Sequence, residues 1–225
     1  MSKNIKKLIN WLTVAVVVSI IGYIVYRTVQ RWLATTYTSY DDGNTYGLRS
    51  GDDGSLKSQK LARFSEVNQR ITKLVRYCCS HNYPDEHRAH RLYKRWNKST
   101  MSETSPDEDS IAYVINKGTE FRVCLTDKKS GELEDINTTM FVCIHELGHL
   151  MSKEYGHNDE FWENNRILLK VAGNLNIYNH VQYEQNNSMY CGENIYSNPC
   201  SDASCGIDKD TFKGSKTGLC AENMK

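Results

Sequence analysis

The sequence has little proline, almost no net charge and no C-x-x-C pair of cysteines. Its 225 residues include 3 Pro, and the formal net charge is +1. A chain this close to neutral lacks the strongly basic surface of most nucleic-acid-binding domains, so we expect no direct nucleic-acid binding. The 8 Cys form no C-x-x-C pair, which argues against a zinc knuckle. Few prolines with plentiful Asn, Lys and Tyr indicate an AT-rich genome, such as that of a large DNA virus.

One apolar run stands out, at residues 8–26. It has 19 residues without a formal charge, which is about the length that crosses a bilayer core as a helix. Aromatic residues lie near both of its ends, as in many membrane-spanning helices. A cleaved signal peptide is the alternative, but the run is long for one and no small-residue cleavage site follows it directly. We therefore predict a retained transmembrane helix in contact with the lipid bilayer.

The charges beside this helix predict its orientation. Three lysines and the amino terminus precede the apolar run, and two arginines follow it. Because positive charge is retained on the cytosolic side, the N-terminus is predicted to be cytosolic and the rest of the chain to lie on the opposite side. The composition also makes a virion membrane a candidate location, with other membrane-layer proteins as partners.

Composition divides the remaining chain into segments. Residues 1–7 form a short N-terminal segment, and residues 27–55 are rich in Gly, Ser, Thr and Asp without an apolar period, which predicts a linker. Residues 56–185 are predicted to form the folded domain, and residues 186–225 a Cys-containing C-terminal tail. On the far side of a membrane the tail cysteines can oxidise, and we predict two disulfides within the tail. Cys124 and Cys143 are predicted to be buried thiols.

Apolar periodicity predicts the main elements of the domain. Spacings of three and four indicate an amphipathic helix at 58–80 and a shorter helix at 86–96. Residues 98–110 are polar and are predicted to be a loop. Two β-rich runs, 111–116 and 119–126, flank Lys117-Gly118 and predict a hairpin. The arginines and lysine of the second helix are expected to form a solvated basic face: Arg88, Arg91, Lys94 and Arg95.

The motif with the clearest chemistry is H-E-L-G-H, from His145 to His149. On a helix, residues four apart lie on one face, so the two histidines can hold one metal ion between them. Glu146 lies at the edge of that face, where it can accept a proton from water as a general base. An apolar series gives the helix a buried side, and Thr138 or Asn137 offers its N-cap.

A catalytic zinc ion needs a third protein ligand from outside this helix. His157 is the best candidate, because it follows a predicted helix end at Gly156 that returns the chain. Asp159 and Glu160 are rivals, since carboxylates also bind zinc, although both are well placed to favour the N-terminus of a next helix at 159–171.

Three stretches together resemble the WLM family of small zinc metallopeptidases. They are N-K-G-T-E-F-R-V-C-L at 116–125, T-M-F-V-C-I-H-E-L-G-H at 139–149 and G-H-N-D-E-F-W at 156–162. The resemblance covers about residues 56–173, and the more distant SprT-like proteases share the H-E-x-x-H and a later histidine. The membrane anchor and a longer spacer before His157 depart from the family pattern.

The resemblance implies an α+β fold, a minimal zincin-like metallopeptidase domain with a small antiparallel sheet beside the H-E-x-x-H helix. It implies one zinc ion on His145, His149 and His157, Glu146 as the general base, and a protein or peptide substrate. In metallopeptidases of this build, a strand edge beside the zinc helix can bind substrate backbone. The alternative is a non-catalytic structural membrane protein, such as a virion component, in which zinc only stabilises the domain.

Four further residues are candidates for supporting roles. Asp159 can accept a hydrogen bond from a ligand histidine, or it can simply cap a helix. Tyr155, Tyr178 and His180 are candidates to stabilise a developing oxyanion, and the sequence does not choose among them.

Overall fold

The structure is a computed structural model, and it describes residues 3–32, 35–49, 52–105, 108–185, 188–197, 199–200 and 205. The chain divides into two compact units, Met1–Thr35 and Thr36–Lys225. The first unit consists mainly of helix α1, Lys3–Trp32. Within it, Ile9–Tyr26 is long and apolar enough to cross a membrane, judged by length and composition. The apolar helix is thus confirmed, whereas its orientation stays a prediction.

A five-stranded mixed sheet organises the second unit. Its strands are β1 Thr35–Thr38, β2 Thr45–Leu48, β3 Thr100–Glu103, β4 Ala112–Ile115 and β5 Glu120–Val123. Their order is β1-β2-β3-β5-β4; β2–β3 and β3–β5 are parallel, and β4–β5 is antiparallel. The predicted hairpin is confirmed as β4–β5. The predicted small antiparallel sheet is wrong, because β3 joins the sheet through parallel pairs.

The stretch predicted to be a linker, residues 27–55, contains strands β1 and β2. Tyr46 and Leu48 are buried, and the ring of Tyr46 stacks on Phe64 at 5.1 Å between centroids. A buried ion pair fixes the neighbouring strand: Lys60 Nζ lies 2.8 Å from a carboxylate oxygen of Glu103. Lys60 and Glu103 are far apart in the sequence, so no local pattern of residues predicts this ion pair.

The described residues of the two units form five helices. After α1 come α2 Gly54–Ser80, α3 Glu86–Trp96, α4 Ile136–Met151 and α5 Asp159–Asn174. Aspartates cap α2 and α3: Asp53 accepts a hydrogen bond from Leu56 N, and Asp85 accepts one from Arg88 N. The core lies between α2, α3, α4 and the sheet. Helix α3 matches its predicted bounds, and the loop predicted at 98–110 contains β3.

The C-terminal segment is not the simple tail that was predicted. A second hairpin, β6 Ser188–Tyr190 and β7 Glu193–Ile195, buries Tyr190 and Ile195. A disulfide joins Cys191 to Cys124, and another joins Cys200 to Cys205. The predicted pair of disulfides within the tail is therefore half right, and Cys124 is not a free thiol. Cys143 is free and buried, as predicted.

Candidate active site

The N-cap of helix α4 lies two to three residues before the predicted caps. Asp135 is the N-cap, and its carboxylate accepts hydrogen bonds from Thr138 N at 2.8 Å and from Thr138 Oγ1 at 3.0 Å. The predicted caps Thr138 and Asn137 instead lie in the first turn. Asn137 binds elsewhere: its amide pairs with the backbone N–H and C=O of Asn179. A carboxylate at this end also suits the positive pole of the helix.

His145 and His149 lie on the same face of α4, as the spacing predicts, with 5.3 Å between ring centroids. Much of the rest of the helix is buried in the core through the apolar series. The members of that series are Phe141, Ile144, Leu147, Leu150 and Met151. Burial of these side chains fixes the rotation of α4 and therefore the direction in which both imidazoles point.

The chain after α4 returns His157 to the two histidines. The helix ends at Met151, where Ser152 N donates to Gly148 O at 3.0 Å, so Gly156 is not the helix end that was predicted. Gly156 does have a positive φ of 85°, which the reversal of the chain requires. After it, His157 Nε2 lies 2.9 Å from His145 Nε2.

Three cations hold the carbonyl groups at the end of α4. Arg91 Nη1 donates to Met151 O at 2.6 Å, and Arg95 Nη1 donates to Leu150 O and Ser152 O at 2.8 and 2.6 Å. Lys117 Nζ donates to Lys153 O at 2.6 Å. The prediction of a solvated basic face is wrong for Arg91 and Arg95. Their guanidinium groups donate hydrogen bonds to carbonyl groups that are otherwise unpaired at a helix terminus.

Phe161 packs against all three histidines from the first turns of α5. Its ring stacks on His149 at 4.3 Å between centroids and contacts His145 and His157 edge-on at 4.8 and 4.6 Å. Gly148 favours this approach, because a Cβ there would lie 3.0 Å from the Phe161 ring and would push the ring back by a few tenths of an ångström. Asn158 caps α5, as predicted, by accepting a hydrogen bond from Phe161 N. The glycine inside the motif therefore lets the two helices close on the site.

The three histidines form the cluster in the described part of the chain that could hold a metal ion. One ring nitrogen from each lies within 4.8 Å of the others. Burial lowers the pKa of His145 to about 3 and that of His149 to about 4, with further lowering by the neighbouring histidines. Neutral imidazoles are the form that binds a metal. Three nitrogen ligands would leave the fourth coordination position of a tetrahedral zinc ion open.

Glu146 lies beside this cluster and is 7% exposed. Burial raises the pKa of its carboxyl group to about 8. It belongs to the lining of the same cleft but not to the group of candidate ligands. A divalent cation nearby would favour the carboxylate and bring its pKa down again. A carboxyl group tuned in this way can accept and release a proton near neutral pH.

The supporting candidates separate into two groups. Tyr155 is 75% exposed and lines the cleft, where Lys117 Nζ lies 4.1 Å from the centre of its ring. Tyr178 is buried against Phe141, and His180 is exposed away from the cleft, so the oxyanion role predicted for these two has no support. Asp159 is exposed in the first turn of α5, and the structure gives it no hydrogen bond to a histidine.

The cleft above the histidines has a volume of about 610 Å³. Its floor is α4, one wall is strand β4, and the opposite wall is the segment 193–197 with strand β7. Sequence reasoning missed this second wall and the cations that hold the end of α4. The i, i+4 spacing of Arg91 and Arg95 is a signal that they share one helix face, but not that this face meets α4.

The proteins most informative for comparison are viral and uncharacterized. A protein of Acanthamoeba polyphaga mimivirus is 38% identical over 98 residues, which cover 44% of this chain and 50% of that protein. A protein of Invertebrate iridescent virus 6 is 34% identical over 88 residues, covering 38% and 49%. One of Invertebrate iridescent virus 3 is 40% identical over 65 residues, covering 29% and 40%. The chain thus spans about half the length of the curated relatives it matches, or less.

No protein-family model matches the chain. Among solved structures, the crystal structure of Wss1 from Saccharomyces cerevisiae aligns with a TM-score of 0.41 and 14% identity. The alignment covers 58% of this chain and 88% of Wss1. A TM-score of this size does not establish a common architecture, so the function must be argued from the site itself.

Proposed function

We propose that this chain is a membrane-anchored, zinc-dependent metallopeptidase of the WLM type. The observation that carries the proposal is the convergence of three imidazoles beside a buried glutamate at the floor of an open cleft. His145, His149 and His157 would hold the ion. A zinc ion held there would supply Lewis-acid chemistry, which polarises a peptide carbonyl and makes water more acidic.

Glu146 performs the proton transfers in this proposal. Its carboxylate accepts a proton from the water that attacks the scissile carbonyl carbon, and then gives it to the leaving amine nitrogen. Glu146 is 7% exposed, so its carboxyl group is largely shielded from competing water. Tyr155 is the remaining candidate to donate a hydrogen bond to the carbonyl oxygen, since its side chain is exposed at the rim of the cleft.

Strand β4 is the candidate to hold the substrate backbone. It is an edge strand of the sheet and pairs with β5 on one side. The hydrogen bond from Cys124 N to Ile111 O shows which β4 residues direct their backbone N–H and C=O groups toward β5. By alternation, the backbone groups of Ala112 and Val114 face away from β5. They have no hydrogen-bond partner among the described residues, and both side chains belong to the lining of the cleft. An extended peptide can therefore add to this edge beside the histidines.

The proposal is tested on the full chain in lipid nanodiscs. We expect one zinc ion per chain after dialysis, and cleavage of a denatured protein or a mixed peptide library, followed by mass spectrometry. Removal of the metal by a chelator should stop cleavage, and added zinc should restore it. Zinc binding without cleavage of any substrate would instead support a structural membrane protein.

The predicted topology has its own test. Asn97, in the sequon Asn97-Lys98-Ser99, is exposed just after α3. If the folded unit lies on the lumenal side, Asn97 or Asn186, in the sequon Asn186-Asn187-Ser188, should be glycosylated in a microsome assay. The double variant Asn97→Gln/Asn186→Gln should lose that modification. Asn137 serves as an internal comparison, because its amide is engaged with Asn179. An unmodified chain that is open to protease from the cytosolic side would reverse the orientation.

A further inference from the structure

The C-terminal hairpin is attached firmly to the body of the second unit. The disulfide between Cys191 and Cys124 joins its turn to the residue after β5. Tyr190 donates its hydroxyl proton to Cys124 O, and Cys191 N donates to Glu134 Oε1 at 2.6 Å. Tyr190 and Ile195 are buried. The hairpin is therefore a fixed wall of the cleft, not a segment that merely follows the domain.

This wall presents an aliphatic and an aromatic residue to the cleft among polar ones. Ile195 and Tyr196 line it from the hairpin side, and Ile111 and Val114 line it from the side of β4. Ile195 is almost fully buried, so core packing alone explains an apolar residue at this position. Tyr196 is 67% exposed, which packing does not account for. An exposed aromatic side chain at the mouth of a cleft is suited to contact a ligand.

Charge at the rim restricts what can enter. Asp109, Glu154 and Glu193 line the cleft, and Lys117 is the cation that lines it with them. Lys117 already donates to Lys153 O, so its charge is partly engaged. The rim therefore favours a peptide without acidic residues and repels one that carries them.

We propose that the wall formed by Ile195 and Tyr196 selects the substrate. An extended peptide lies along β4 and places one apolar side chain against this wall, with neutral or basic residues on either side. This inference rests on the proposed function for its biological meaning, because it names the class of peptide that the site would receive. The binding step that it describes does not depend on hydrolysis.

The experiment measures binding and not cleavage. Full-length protein carrying Glu146→Gln is placed in lipid nanodiscs with added zinc. Fluorescence anisotropy then follows three blocked eight-residue peptides that have lysine near both ends and differ at one central position, which is leucine, glycine or aspartate. Burial of part of a leucine side chain predicts about 10-fold tighter binding of the leucine peptide than of the glycine peptide. The aspartate peptide should bind most weakly.

Two substitutions on the same hairpin locate the effect. Tyr196→Asp should reduce the preference for leucine over glycine to less than about 2-fold, because it puts a charge on the wall. Met189→Asp is the matched control: Met189 is also exposed, at 51%, but does not line the cleft, so the preference should remain. Equal binding of all three peptides, or an equal loss in both variants, would overturn the proposal.

The same measurements separate this inference from the peptidase. If the leucine preference and its loss in Tyr196→Asp are found while the zinc-loaded protein cleaves nothing, the wall is supported and the peptidase is not. If the protein cleaves peptides with no preference for an apolar residue, the peptidase is supported and the wall is rejected.

Discussion

The floor and the far wall of the cleft differ in chemistry and in origin. The floor, on α4, carries His145, Glu146 and His149 within one helical turn and a half. The far wall carries Ile195 and Tyr196, about fifty residues later, and is joined to the sheet by Cys124–Cys191. The floor has the groups that can do chemistry, whereas the wall has the groups that can distinguish side chains. Changes to the floor should thus affect every substrate equally, and changes to the wall should affect substrates differently.

The largest expected effect comes from the floor. Glu146→Gln should lower the rate of cleavage by about 10² to 10⁴-fold for all peptides, because the amide cannot accept the proton of the attacking water. Zinc content should be unchanged, since Glu146 is not among the candidate ligands. Glu184→Gln, at an exposed position that does not line the cleft, is the control and should cleave within a few-fold of the unmodified protein. If both variants cleave at the same rate, Glu146 is not the general base.

The second prediction uses the raised pKa of Glu146 in the metal-free protein. The folded state holds the proton to about pH 8, while the unfolded state releases it near pH 4.5. Stability contributed by the neutral form is therefore present below pH 4.5 and is lost as pH rises toward and through 8. The lowered pKa values of His145 and His149 act in the opposite direction, between about pH 3 and 6.5.

Comparison with Glu146→Gln isolates this effect, because both proteins keep the histidines. On raising the pH from 5 to 8, the metal-free unmodified protein should lose stability relative to the variant. At about 1.4 kcal/mol per pKa unit, the change is on the order of a few kcal/mol. Thermal unfolding midpoints with chelator present would measure it. A difference between the two proteins that does not vary with pH would mean that Glu146 is not buried as described.

A smaller effect is expected from the cations behind the floor. Arg95→Ala removes the two hydrogen bonds to Leu150 O and Ser152 O and loosens the segment that carries His157. Zinc affinity should fall about 10-fold, because the arginine orients the ligand without touching the ion. Lys94→Ala, the exposed neighbour on the same helix, should bind zinc like the unmodified protein. An equal effect in both would indicate a general electrostatic cause.

The difference between floor and wall also explains what the sequence could predict. The i, i+4 spacing, the cap at Asn158 and the hairpin β4–β5 depend on residues close together in the chain, and each is confirmed. The parallel pairing of Tyr46 with Met101 joins residues 55 positions apart, and the short strand around Tyr46 has no period of its own. Such pairs depend on tertiary packing, which outweighs the local composition of a predicted linker.

The missed parts of the site have the same cause. The partner of Cys191 is 67 residues away, and cysteine spacing alone cannot select it among many pairings. Arg91 and Arg95 look like surface residues until α3 is placed against the end of α4. Tyr178 and His180 were predicted as oxyanion candidates by residue type alone, and neither is among the residues that line the cleft.

The central claim is that three histidines, one of them outside α4, form a single metal site. Equilibrium zinc titration of the full chain in nanodiscs tests it most directly, with His157→Ala and Asp159→Ala beside the unmodified protein. We predict one tight site, and a loss of affinity in His157→Ala that exceeds the roughly 100-fold cost of removing a residue that only supports a ligand. Asp159→Ala should bind like the unmodified protein, because Asp159 is exposed and makes no hydrogen bond to a histidine. A His157→Ala protein that binds zinc as tightly as the unmodified chain would contradict the account.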